Sequence, residues 1–216
     1  MPEPLTTLVG PAAPLLVPNI NTDLISPTYT PGTVGQQPNF ALSHEELARR
    51  LFATWRYDKQ DCELPDFVLN RPAFRHAKFM LGGVNFGCGS SRDTAPRMLA
   101  AFGIRCVIAP SFGGIFFDNC FKSGVLPMVL GNDVIEGLAA EAADGKDFAL
   151  DVAAQTFTTP SGEIRRFDLP SFRREQVLTG ADDISLTLRR NNEIVAYQER
   201  ERATRPWTFL PPARIG

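Results

Sequence analysis

The sequence is poor in the residues from which self-contained metal and disulfide sites are built. Its four cysteines, Cys62, Cys88, Cys106 and Cys120, form no C-x-x-C pair, and histidine occurs only at His44 and His76. That scatter argues against a disulfide framework, a zinc site or an iron-sulfur cluster held by this chain alone. No stretch approaches the roughly 20 apolar residues that a membrane span needs, and the N-terminus lacks a basic segment followed by a long apolar run. The expectation is a soluble, cytoplasmic protein. Excess charge of either sign is also missing: 22 Lys plus Arg against 24 Asp plus Glu leave −2, which gives no long-range pull toward nucleic acid or an anionic membrane. An anionic ligand must then be held by local groups.

What is present suits such a ligand. Lysine is rare and 18 of the 22 cations are Arg, whose guanidinium offers a planar fork of donors that matches a carboxylate. A chain of 216 residues with 44% apolar content is long enough for one well-formed core and too short for several catalytic domains. One domain is expected over 1–216, with its core at about 5–170, C-terminal helices at about 171–203 and a tail at 204–216. No internal repeat or interdomain linker interrupts it.

The pattern along the chain alternates strands and helices. Leu15 to Val17 is a short apolar run that reads as a strand before the turn-like Pro18-Asn19-Ile20-Asn21-Thr22-Asp23. Thr28 to Asn39, with Pro31, Gly32, Gly35 and Pro38, reads as a long loop, either disordered or in contact with substrate. Ser43 and Glu46 have capping-box spacing, and Leu47, Leu51 and Trp55 recur every four residues, which predicts a helix from about Ser43 to Trp55. Phe79 to Val84 and Ile104 to Ala109 read as strands around a helix from Ala95 to Phe102, a β-α-β unit. A helix from Ser111 to Lys122 leads to a strand at Leu126 to Leu130, and such repetition implies parallel pairing. Phe148 to Thr158 and Glu163 to Leu169 read as a hairpin joined by Pro160-Ser161-Gly162, so the sheet is mixed. Helices follow at Phe172 to Leu178, Asp182 to Arg189 and Asn191 to Arg202, the last capped by Asn191 or Asn192.

The segment Asn85-Phe86-Gly87-Cys88-Gly89-Ser90-Ser91-Arg92 leaves a strand, crosses a glycine-rich turn and opens a helix. Free N–H groups at a helix N-terminus, with the positive end of the helix dipole behind them, favour an anion. Gly87 and Gly89 let a ligand approach the backbone. Ser90 and Ser91 can donate to carboxylate oxygens and Arg92 can pair with one in bidentate fashion. The same residues also read as a plain helix cap beside a solvated arginine. The motif is not a Walker loop, a G-x-G-x-x-G fingerprint or a G-x-S-x-G nucleophile elbow, so nucleotide binding and serine-hydrolase chemistry are excluded.

Gly87-Cys88-Gly89-Ser90-Ser91-Arg92, followed by Ala95-Pro96 and Val107-Ile108-Ala109-Pro110-Ser111-Phe112, resembles the small subunits of 3-isopropylmalate dehydratases in the aconitase superfamily. The resemblance extends to Asn21-Thr22-Asp23, Pro65-Asp66-Phe67-Val68-Leu69-Asn70, Leu126-Pro127, Phe172-Arg173-Arg174 and Gly180 to Leu188, and spans nearly all of Leu5 to Tyr197. It implies an α/β fold: a swivelling β/β/α domain with a mixed, partly parallel sheet and a C-terminal helical extension. It further implies a hydro-lyase active only as a heteromer, in which the iron-sulfur (4Fe-4S) cluster belongs to the large subunit. This chain would hold no cofactor or metal, act on a small dicarboxylate, and touch neither nucleic acid nor membrane. The resemblance makes Ser90 the base and Arg92 a carboxylate clamp. Ser91, Gly89, Asp23, Thr28 and Tyr29 are expected to bind substrate beside them.

The sequence departs from that family in two places. The family's Glu-His after the arginine is replaced by Asp93-Thr94, and its Ile-Ile-Pro by Leu24-Ile25-Ser26-Pro27 ahead of a longer loop. Two alternatives follow: a relative acting on citraconate and 2-methylmalate or another branched malate, or a carboxylate-binding regulatory module without catalysis. Among other residues, Cys88 reads as a small buried side chain, and Asp23 either meets substrate or closes an Asx turn. Ser111 reads as a helix cap, and Asp118 and Asn119 as structural. Arg173 and Arg174 read as surface ion-pair or partner-contacting residues.

Overall fold

The computed structural model describes residues 2–28, 42–89 and 93–209. Its centre is a seven-stranded mixed sheet in the order β4-β3-β2-β1-β5-β6-β7. The strands are β1 (Thr7–Leu15), β2 (Phe79–Gly82), β3 (Cys106–Ala109), β4 (Leu126–Val129), β5 (Asp147–Asp151), β6 (Thr156–Thr158) and β7 (Ile164–Arg166). β1 to β4 pair in parallel and β1, β5, β6 and β7 pair antiparallel. The expected mixed α/β sheet is therefore present.

β1 corrects the sequence reading, which placed a strand at Leu15 to Val17. The strand lies earlier and contains Pro11 and Pro14. Thr7 to Pro11 pair with β5, whereas Ala12 to Leu15 pair with β2. Each half has a ladder on one side only, the situation in which a strand tolerates proline.

Helices α4 (Thr94–Phe102), α5 (Gly114–Lys122) and α6 (Asn132–Ala142) connect the parallel strands and lead into β5. Alternation along the strands builds two cores. Met80, Val107 and Ala109 face one, with Ala95, Met98 and Leu99 of α4; Phe79, Leu81, Cys106 and Ile108 face the other, with Ile135 and Leu138 of α6. Burial on both faces is why these strands are almost wholly apolar. Between Leu130 and Phe148, where the sequence pattern predicts no element, α6 covers the second core. The single strand predicted from Phe148 to Thr158 is two, β5 and β6. Asp151 Oδ1 accepts the Ala154 N–H at 2.8 Å, and Gln155 takes a left-handed φ of 53°, a turn made without Gly or Pro.

The predicted helix from Ser43 to Trp55 is two helices, α2 (His44–Arg50) and α3 (Ala53–Arg56), with α1 (Thr22–Ile25) packed alongside. The capping box is real: Ser43 N–H donates to Glu46 Oε2 at 2.8 Å and Glu46 N–H to Ser43 Oγ at 3.3 Å. The break falls at Phe52, whose backbone is left-handed (φ 51°). Burial accounts for it: Phe52 is inaccessible and its ring stacks on Trp55 at 6.1 Å, so packing overrides helix periodicity.

The C-terminal extension comprises α7 (Ser171–Thr179), α8 (Asp183–Leu188) and α9 (Asn191–Thr204). Leu5 N–H donates to Val177 O at 2.9 Å, tying the N-terminus to α7. Arg190 precedes α9 without a side-chain cap, so the expected asparagine cap is corrected: Asn191 lies inside the first turn. Residues 206–208 form a short 3-10 turn within the predicted tail.

Candidate active site

The chain leaves β2 through a run of left-handed residues: Asn85 (φ 60°), Gly87 (φ 72°) and Gly89 (φ 97°). Backbone bonds fix this turn from two sides. Gly87 N–H donates to Ile20 O at 2.7 Å and Thr22 N–H to Cys88 O at 2.9 Å. Phe86 N–H donates to Ser111 O at 3.0 Å and Gly113 N–H to Phe86 O at 2.9 Å. Glycine at 87 is required for space as well as conformation, since a Cβ there would lie 2.2 Å from the Phe116 ring.

Ser90, Ser91, Arg92 and Tyr29 lie outside the described residues, and Gly89 and Asp93 flank the Ser90-Ser91-Arg92 triplet. On one side is Gly89, exposed, where a Cβ would stand 3.5 Å from Asn21 Cβ and 3.8 Å from Thr22 Oγ1. On the other, Asp93 is exposed and Thr94 starts α4. The fold thus brings the predicted Gly89 turn and the Asn21-Thr22-Asp23 segment together from distant parts of the chain. Asp23 is exposed in the first turn of α1, and Thr28 is exposed beyond its end. The Asx-type cap of α1 belongs to Asn21, whose Oδ1 accepts the Leu24 N–H at 2.8 Å.

Three further features were missed in the sequence reading. Ser111 does not cap α5, which starts after Gly113 with no side-chain cap; its Oγ accepts the Asn85 N–H at 2.8 Å and so supports the turn. Asn19 and Asn85 are joined by their side chains at 2.9 Å. Ser26 Oγ and Thr94 Oγ1 lie 2.9 Å apart, both buried. Position 94 carried a signal, since Thr stands where the resembling family has His, but its partner was not visible.

Cys88 is half-buried, with Sγ 3.6 Å from Asn19 O, more accessible than the expected buried side chain. Among the described residues no group of three or more His, Cys, Asp and Glu could hold a metal ion. Cys62 is exposed, while Cys106 and Cys120 are fully buried and burial pushes both thiols well above their ordinary range. Protonated thiols are poor ligands, so Cys106 and Cys120 do not suit an iron-sulfur cluster. Arg173 pairs with Asp118 and lies 4.7 Å over the Phe121 ring, and Arg174 donates to Gln155 Oε1 at 2.9 Å. Both are engaged within the chain.

The fold and its glycine turn define the class. Residues 4–133 match the aconitase C-terminal domain family, and residues 183–210 match the C-terminal domain of the 3-isopropylmalate dehydratase small subunit. The chain belongs to the aconitase C-terminal domain family, and within it to the small subunits of 3-isopropylmalate dehydratase. The small subunit from Rhodospirillum centenum is 46% identical over 209 residues, covering 96% of this chain and 99% of that protein. That from Paramagnetospirillum magneticum is 44% identical over 207 residues, covering 95% and 99%. The crystal structure of 3-isopropylmalate dehydratase from Methanocaldococcus jannaschii shares the fold, with a TM-score of 0.60 at 23% identity over 89% of this chain and 99% of that one.

Proposed function

We propose that this chain is the small-subunit half of a hydro-lyase that interconverts 2-isopropylmalate and 3-isopropylmalate in leucine biosynthesis. The observation that carries the reading is the near full-length match to small subunits of that enzyme. The whole chain, 1–216, acts as one swivelling unit in the cytoplasm; among its described residues no helix is long and apolar enough to cross a membrane.

Ser90 serves as the base that takes the proton from the carbon beside a carboxylate, and Arg92 clamps a carboxylate. Ser91, Gly89, Asp23, Thr28 and Tyr29 complete substrate binding. A serine hydroxyl is almost never ionised at neutral pH, so the base needs donors aimed at the developing alkoxide in a water-poor site. The exposed backbone at Gly89, the first turn of α4 and Arg92 are suited to that. The large subunit supplies the 4Fe-4S cluster, whose chemistry is Lewis-acid assistance to the departing hydroxyl.

A partner must cover the turn. Val17, Val84 and Ile115 stay 44%, 46% and 54% exposed on the segments that meet there, an apolar rim suited to protein contact.

The test is turnover by the chain alone, by the chain with its matching large subunit, and by the same pair carrying Ser90→Ala. Turnover is expected only from the wild-type pair, with Ser90→Ala lowering kcat by roughly 100-fold to 10,000-fold. Full activity from the isolated chain overturns the reading. A panel of isopropylmalate, citraconate, methylmalate and homocitrate identifies the acid.

A further inference from the structure

α1 spans the two flanks of the candidate catalytic triplet. At its start, Thr22 N–H donates to Cys88 O at 2.9 Å, ahead of Ser90. At its end, the C-cap residue Ser26 meets Thr94, two residues beyond Arg92, through the 2.9 Å hydroxyl pair. Ser26 is inaccessible and Thr94 only 7% exposed, so water does not compete for this bond as it does for one at the surface. The helix is anchored again from behind, where Phe52 N–H donates to Ile25 O at 3.0 Å.

We infer that Ser26 and Thr94 are positioning residues: their buried hydroxyl bond makes α1 a strut that holds Asp23 against the start of α4 beside the candidate site. The inference rests on the reading of Ser90, Arg92 and Asp23 given under Proposed function. The Cys88 end of the strut is backbone to backbone and depends little on side-chain identity. The Thr94 end depends on two side-chain hydroxyls joined across 68 positions of chain. A misplacement of about 1 Å in a substrate-holding group is enough to change binding and rate. Without the bond, α4 and α1 keep their apolar packing, but the start of α4 and Asp23 on α1 lose a tie between them.

The test uses the chain reconstituted with its large subunit and compares Thr94→Val, Ser26→Ala, the double variant and Thr94→Ser with the wild type. Each of the first two is expected to raise KM roughly three- to ten-fold, the range spanned by loss of one hydrogen bond. The double variant should be no worse than the more affected single one, because both remove the same bond. Thr94→Ser should restore the wild-type KM. A purely structural role would lower the active fraction, hence apparent kcat, and leave KM unmoved; that result, or additive effects in the double variant, overturns the inference. Should Thr94→Val fail to fold, Ser26→Ala and Thr94→Ser still decide it. An inactive wild-type pair, or an active Ser90→Ala pair, instead overturns the underlying reading of the site.

Discussion

Asn19 and Asn85 stand face to face at the base of the glycine turn, both in left-handed backbone (φ 57° and 60°) and joined from Asn85 Nδ2 to Asn19 Oδ1 at 2.9 Å. Asparagine is among the few side chains that accept this conformation readily. Here it also ties the loop after β1 to the end of β2, because Asn19 N–H donates to Val84 O at 2.8 Å.

Conformation and side-chain bonding at Asn85 are separable. Asn85→Gly keeps the left-handed backbone and loses only an exposed bond, whereas Asn85→Ala loses the bond and adds the left-handed penalty of about 1 kcal/mol. Urea unfolding should rank wild type above Gly and Gly above Ala. An alanine variant as stable as the glycine one would remove backbone strain from the account of this turn.

Gly87 is a more severe case. A methyl group there would have to displace the Phe116 ring, 2.2 Å from the ideal Cβ, and would sit in left-handed backbone. Summing a conformational cost of about 1 to 2 kcal/mol and an overpacking cost of about 1 to 3 kcal/mol, Gly87→Ala should lose roughly 2 to 5 kcal/mol. Thermal unfolding checks it, and a variant within about 0.5 kcal/mol of wild type would show that the turn relaxes freely.

Arg56 is a buried cation used for architecture. Only 6% exposed, it donates from Nε to Asn70 Oδ1 at 3.1 Å and from Nη1 to the carbonyls of Ala48, Arg49 and Leu51 at 3.0, 3.4 and 3.4 Å. Those carbonyls are released where α2 ends and the chain breaks at Phe52, so the guanidinium takes the place of continued helix bonding. Burial lowers its pKa from the ordinary arginine value, and a guanidinium keeps its charge in proteins. Arg56→Met should cost roughly 3 kcal/mol through the stranded carbonyls, and Arg56→Lys should recover only part, because an ammonium lacks the planar fork. Denaturant melts that rank Lys equal to Arg would refute this.

Where the sequence was readable and where it was not follows from what holds each feature. The Ser43 and Glu46 box is local and was legible; the break at Phe52 is imposed by the core and was not. β1 hid because Pro11 and Pro14 usually mark loops, and only the switch of partner between β5 and β2 makes them tolerable. The turn at Asp151 to Gln155 contains no Gly or Pro to announce it. At the site, Gly87 and Gly89 were legible as turn glycines, but Gly87 makes room for the Phe116 ring rather than for a ligand. Ser111, Ser26 and Thr94 act through residues 26, 68 and 68 positions away, so no local pattern carries their roles.

The C-terminal extension supplies a pH-dependent feature of its own. Asp182 caps α8, its Oδ1 accepting the Ser185 N–H at 2.6 Å, and that backbone bond, ahead of the Ser185 side chain, lowers the carboxyl pKa below its ordinary 3.8. A pKa depressed on folding means that the charged form is favoured in the folded chain. The cap's contribution is therefore present at neutral pH and is lost only as the pH falls through the folded-state pKa. Asp182→Asn keeps an acceptor of equal reach but does not titrate. In the wild type, the Ser185 amide resonance should move with a midpoint below that of a free aspartate; in Asp182→Asn this titration should vanish while α8 stays helical. A Ser185 resonance that titrates identically in both proteins would assign the transition to another group and remove Asp182 as the pH-sensitive cap.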